Sequence, residues 1–156
     1  MGKASDRGVF MSTSTSTDAS VNTSMEIAGH PVSKGVASGE ILISDTPISF
    51  LGGINPNTGE IIERNHPKKG VSIADRVFLF PHGKGSTVGS YIIYSLKKNG
   101  VAPCAMINLT SETIVAVGAI IADIPLVDRL KEDPFTVFHD GDLVKVDGTV
   151  GYVTRK

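Results

Sequence analysis

From Ile27 onward the apolar residues come mostly in short bursts broken by glycine, proline, asparagine or aspartate. In "GEILIS" (39–44) Ile41 and Ile43 oppose Leu42, the alternation of a short buried or half-buried strand. "VFLF" (77–80) is a continuous apolar run of strand length, and "APCAMINL" and "PLVD" read the same way. Two stretches keep helical spacing instead. Val88, Ile92 and Leu96 lie four apart with Ile93 alongside, which predicts a helix capped by Ser86 or Thr87 and closed by Lys97, Lys98 and Asn99-Gly100. Ser111 ahead of "ETIVAVGAIIADI" predicts a second capped helix, with small residues Ala116, Gly118 and Ala119 for close packing. At the C-terminal end, "DLVKVDGTVGYVTRK" predicts a hairpin turning at Asp147-Gly148. Strands outnumber helices and the helices fall between them, so the class is mixed α/β.

Two regions carry no such period. "DTPISFLGGINPNTGEIIERNHPKKG" (45–70) is punctuated by Pro47, Gly52-Gly53, Pro56, Gly59 and Pro67, which excludes a long helix and leaves a small hairpin around "NTGEII". Its Ile, Leu and Phe residues favour order, and long ordered loops in compact domains are usually functional, so it reads as a binding loop. Residues 1–24 are dominated by serine and threonine from Ser12 to Ser24 and lack the cationic and apolar regions of a secretory signal. A disordered tail is expected there, with the domain spanning 25–156.

Composition narrows the function more than the fold. At 156 residues and 40% hydrophobic content the chain suits one domain. A formal net charge of -1 with scattered lysines and arginines gives no footprint for nucleic acid. No apolar stretch approaches the roughly 20 residues of a membrane span. Cys104 is the only cysteine, which excludes an internal disulfide and suits a reducing, cytoplasmic setting; in its apolar strand it reads as a buried, inert thiol. The four histidines show no zinc spacing, and His30 and His139 read as ordinary surface or loop residues.

The chemistry concentrates in "PHGKGSTVGS" (81–90), between a predicted strand and a predicted helix. A phosphate-binding P-loop around Gly83-Lys84 needs glycine at 78 and a hydroxyl at 85, where Phe78 and Gly85 stand. The dinucleotide fingerprint needs a small residue where Val88 stands. What remains is general: glycines admit a ligand to the backbone, and helix N-terminal amides with Lys84 favour a phosphate or carboxylate. From the residues alone, Ser86 and Ser90 are helix-capping side chains first, and a base only where positive surroundings lower the cost of ionising a hydroxyl.

Taken together, Ser49-Phe50 with Gly52-Gly53, Asn55-Pro56, Thr58-Gly59, His66-Pro67, the Gly83–Thr87 loop, "APCAMIN" and "VAVGAIIA" resemble the swivel-domain subunit of the aconitase X family, over nearly all of Met25 to Lys156. Asn55 stands where the family more usually has aspartate, and Gly85-Ser86-Thr87 where it has Gly-Ser-Ser. The resemblance implies a swivelling β/β/α domain and a hydro-lyase subunit. It implies Ser86 as the proton acceptor and Ser49, Gly52, Gly53, His66, Lys84, Gly85 and Thr87 as substrate-binding residues. Archaeal two-subunit members of the family dehydrate (R)-5-phosphomevalonate to trans-anhydromevalonate 5-phosphate in an isoprenoid pathway, and bacterial relatives dehydrate cis-3-hydroxy-L-proline.

Aconitase-like chemistry uses a 4Fe-4S cluster, and one thiol cannot hold a cubane. The expected partner is therefore a cluster-bearing large subunit in a heterodimer, with a small phosphorylated hydroxy acid as substrate and no metal bound by this chain alone. A non-catalytic domain whose glycine loop only holds an anion stays open as an alternative.

Overall fold

The computed structural model describes residues 24–156, so the expectation of a disordered tail lies, but for Ser24, outside the described residues. Along the chain run β1 (Met25–Ala28), β2 (His30–Ser33), β3 (Val36–Ile43), the short turn α1 (Phe50–Gly53), β4 (Val77–Leu79), α2 (Gly89–Lys98), β5 (Ala105–Ile107), α3 (Thr113–Ile121), β6 (Leu126–Asp128), α4 (Pro134–Val137), β7 (Leu143–Asp147) and β8 (Tyr152–Arg155). The strands are ordered β1-β8-β7-β3-β4-β5-β6-β2.

β3 joins two kinds of sheet. Its first five residues pair antiparallel with β7, from Val36 opposite Asp147 to Glu40 opposite Leu143. Its last three pair parallel with β4, which pairs parallel with β5 and β5 with β6. β4, β5 and β6 are buried throughout, as expected of strands covered on both faces, and this is why they read as continuous apolar runs.

Alternation along these strands separates two cores. Leu42, Phe78, Phe80, Met106 and Leu126 pack with Ile93 and Leu96 of α2 and Val115 and Ala119 of α3. Ile41, Val77, Leu79, Ala105, Ile107 and Val127 pack with Ile27, Val144, Val146 and Val153 of the antiparallel strands and with Phe138. The layers are antiparallel strands, parallel strands and helices, which is the expected β/β/α architecture.

Several local expectations change. Of the expected stripe on α2, Ile93 and Leu96 are buried and Ile92 packs partly buried against the same core, whereas Val88 is exposed and Gly89 is buried in its stead. Gly118 explains the shift: a Cβ there would lie 2.7 Å from Ile93 Cδ1 and 3.2 Å from Ser90 Cα, so α3 meets α2 along its 90–93 side. Glu112, not Ser111, caps α3, accepting from the amides of Ile114 and Val115. The C-terminal hairpin forms, but its connection is Gly148–Gly151, with Asp147 Oδ1 accepting from the Thr149 and Val150 amides. The small hairpin in the long loop also forms, with Ile54 bridged to Ile61.

Candidate functional site

The parallel strands β3, β4, β5 and β6 end on one edge, where open α/β sheets bind ligands. The Pro81–Val88 loop leaves β4 there and is stitched to the long loop after β3. Lys84 N donates to Ile48 O (2.9 Å) and Ile48 N to His82 O (3.2 Å). Two glycines make the close approach feasible. A Cβ at Gly83 would lie 2.5 Å from Val115 Cγ2 and 2.6 Å from Glu112 Oε1, against the start of α3. Gly85 has φ +95° and would place a Cβ 3.0 Å from Ser49 Oγ.

Ser49 opens α1, whose interior is a type II turn: Leu51 at φ -76°, ψ 115° and Gly52 at φ 86°, ψ -13°. Gly52 thus supplies the left-handed position of that turn. Gly53 is tight for another reason, since a Cβ would lie 2.9 Å from Glu63 Oε1. Glu63 ties the motifs together. Its Oε1 accepts from Ser49 N (3.3 Å) and its Oε2 pairs with Lys84 Nζ (3.1 Å). Lys84 therefore reaches the site already paired with a carboxylate, so an anionic ligand there shares the ammonium with Glu63.

Ser86 is half-buried and does not cap α2, which begins at Gly89 with Val88 in the cap position and no side-chain cap bond. Its Oγ accepts from the Val88 amide two residues on (3.0 Å), a local serine turn. A donor already aimed at Oγ favours the ionised over the neutral hydroxyl, which is the direction a serine base requires. Thr87 is exposed, and its carbonyl accepts from Ser90 Oγ (3.2 Å).

Ser49, Gly52, Gly53, Lys84, Gly85, Ser86 and Thr87 thus share one edge of the sheet. His66 occupies a different setting: buried, its Nδ1 accepts from Lys68 N (2.9 Å), so Nε2 carries the proton and donates to Ser44 Oγ (2.8 Å). Ser44 in turn donates to the Thr46 carbonyl (2.8 Å). His66 lines a separate cleft of about 300 Å³ with Ser44, Lys68, Phe138 and Asp140. Lys68 there joins the Ile43 carbonyl to Asp140. These bonds fasten the long loop to the end of β3.

Sequence reasoning missed Glu63, which carries no motif of its own, and the buried polar pair at the ends of β5 and β6. Asn108 Nδ2 donates to the Phe80 carbonyl (3.0 Å), and Asp128 accepts from Ser111 N (2.7 Å). The signal available was a polar residue ending an apolar strand in "CAMIN" and "PLVD". His30 is exposed, as expected of a surface histidine, and its Nδ1 lies 3.0 Å from Asp128 Oδ1.

Among the described residues, no three His, Cys, Asp or Glu side chains converge on a metal position. Cys104 precedes β5 and so lies at the opposite edge of the parallel sheet from Ser86. The residues of this chain do not fit an iron–sulfur cluster. Among the described residues, no helix is long and apolar enough to cross a membrane.

Comparison with known proteins gives a consistent result. Residues 26–155 match the family model described as the aconitase X swivel domain. The phosphomevalonate dehydratase small subunit of Methanococcoides burtonii is 58% identical over 129 residues, covering 83% of this chain and 94% of that protein. The protein of the same name from Methanothermobacter thermautotrophicus is 47% identical over 129 residues, 83% of this chain and 98% of that one. The crystal structure of Thermococcus kodakaraensis aconitase X in its holo-form superposes with a TM-score of 0.80 at 45% identity, covering 85% of this chain and 98% of that chain. With the matched model spanning the whole three-layered domain, the chain belongs to the aconitase X swivel-domain family.

Proposed function

We propose that this chain is the cytoplasmic small subunit of a two-chain hydro-lyase that dehydrates (R)-5-phosphomevalonate, with Ser86 as the proton acceptor and a large subunit supplying the cluster. One observation carries the reading. Glu63 and Gly85 bring Ser49, Lys84 and the Ser86 loop to the carboxyl edge of the parallel sheet, in a chain 58% identical to a phosphomevalonate dehydratase small subunit. In this reading Ser86 Oγ takes the proton from the carbon next to the substrate carboxylate, its developing charge held by the Val88 amide. Lys84 and the loop amides receive an acidic group of the substrate. Ser49 and the Gly52-Gly53 turn shape the neighbouring wall. Departure of the hydroxyl belongs in this reading to the large subunit, because the one thiol of this chain cannot hold a cubane cluster.

The test is turnover of (R)-5-phosphomevalonate by the two subunits produced together. Ser86→Ala is expected to lower kcat by about 100-fold to 10,000-fold with far less change in KM, as for loss of a general base. Thr87→Ala alters the same loop without removing the proposed base and is expected to keep kcat near wild type, with any loss falling on KM as for a substrate contact. Equal kcat of the two folded, assembled variants overturns the assignment of Ser86. Turnover of cis-3-hydroxy-L-proline in preference to the phosphorylated acid overturns the substrate.

A further inference from the structure

α3 is apolar on both sides. Val115, Gly118 and Ala119 are buried against α2 and the sheet, while Val117, Ile120 and Ile121 point outward, the last two each 55% exposed. A helix with one face in water normally confines its apolar residues to one stripe, and one that is apolar all round is normally covered. The outward face continues onto α2 through Tyr91, 72% exposed, and Tyr94. Between the helices Ser90, Tyr91, Tyr94, Val117 and Ile121 line a cleft of about 300 Å³. The patch includes no charged side chain, and exposed tyrosines beside branched aliphatics are the composition of a subunit interface core.

We infer that this α2–α3 face is the seat of the large subunit. The inference rests on the small-subunit reading above and adds where the partner binds. Ser90, which lines the cleft, stands in the first turn of α2, four residues past the serine proposed as base. A chain that completes the reaction site at Ser86 must approach this same helix start, and extending along α2 and α3 covers the apolar face. A second copy of this chain would cover the patch but would bring no cluster ligands, since each copy has one thiol. The partner surface is accordingly apolar, with a concave or flat region that accepts two tyrosines, at the large area and low charge of an obligate interface.

Ile121→Glu and Tyr91→Glu each put a charge on an exposed position without touching the glycine loop. Each is expected to weaken binding to the large subunit by about 30-fold or more, the scale of an interface hot spot. Binding is read by titration and by co-elution on size exclusion, using variants whose melting of the isolated chain matches wild type. Ser86→Ala, which leaves the patch intact, is expected to bind normally. Oxidative footprinting of unmutated protein provides a second readout: Tyr91 and Tyr94 should become protected when the large subunit is added. Wild-type affinity in both charged variants, or no tyrosine protection in a formed complex, overturns the inference. So does a patch that holds two copies of this chain together while the variants still bind the large subunit. If wild-type chain fails to bind any large subunit, the small-subunit reading itself falls, and the inference with it.

Discussion

Cys104 illustrates how one side chain's surroundings set its reactivity. The thiol is part-buried, its Sγ 3.7 Å from the Ser38 carbonyl, and a Cβ at Gly39 would approach that sulfur to 3.0 Å. Burial pushes its pKa above the ordinary 9.0; a backbone hydrogen bond opposes this in part, and the negative charge of Asp75 adds to it. The thiolate is the nucleophile, so Cys104 is expected to react with iodoacetamide more slowly at neutral pH than free cysteine does. The sign for stability follows from the raised folded value. The neutral thiol is favoured in the fold, its contribution is fully present below the ordinary value, and it is lost as pH rises through the folded one. Urea melts above pH 9.0 should therefore lose stability faster for wild type than for Cys104→Ser. A labelling rate at neutral pH equal to that of free cysteine would contradict the assignment.

At the scale of elements, the hairpin of β7 and β8 is locked to the start of β3 by backbone contact. Gly148 N donates to the Gly35 carbonyl (2.8 Å), and a Cβ at Gly148 would sit 1.9 Å from the Ser33 carbonyl oxygen. Backbone cannot rotate away as a long side chain can. Gly148→Ala is expected to cost about 3 kcal/mol or more, the upper end of overpacking penalties, by urea denaturation. Gly100→Ala is the comparison: it has φ +74° but no atom within 4 Å of the new Cβ, so only the left-handed backbone cost of roughly 1–2 kcal/mol applies.

The same distinction between local and distant causes decides what could be read from the chain beforehand. β4, β5 and β6 are legible because every residue in them is buried, and the glycine loop because breakers and hydroxyls cluster there. β1 and β2 are not, because "MEIA" and "HPVS" each bury a single residue, Ile27 and Ser33. They become strands only through partners at the far end of the sequence or across the sheet. In the site, Ser86 and Gly85 announce themselves by composition. Glu63 does not, since its role depends on the long loop returning to Lys84. The exposure of Val88 is likewise illegible, because the side of α2 that is covered depends on Gly118 of another helix.

For the whole molecule, the arrangement of one thiol at the edge away from Ser86 has an analytical consequence. The chain purified without its partner should show no iron–sulfur absorbance and no dehydratase turnover, with both appearing on addition of the large subunit. Stoichiometric iron in the isolated chain would overturn that division of labour. A separate property follows from β1 and β8. Met25 pairs with Arg155 and Ala28 with Tyr152, so the polypeptide leaves the domain a few ångströms from where it entered. A body closed this way behaves as a plug-in module: it can be spliced into a loop of another chain, or cut free from one, without stretching either end. The interface, rather than the peptide link, then determines where it sits.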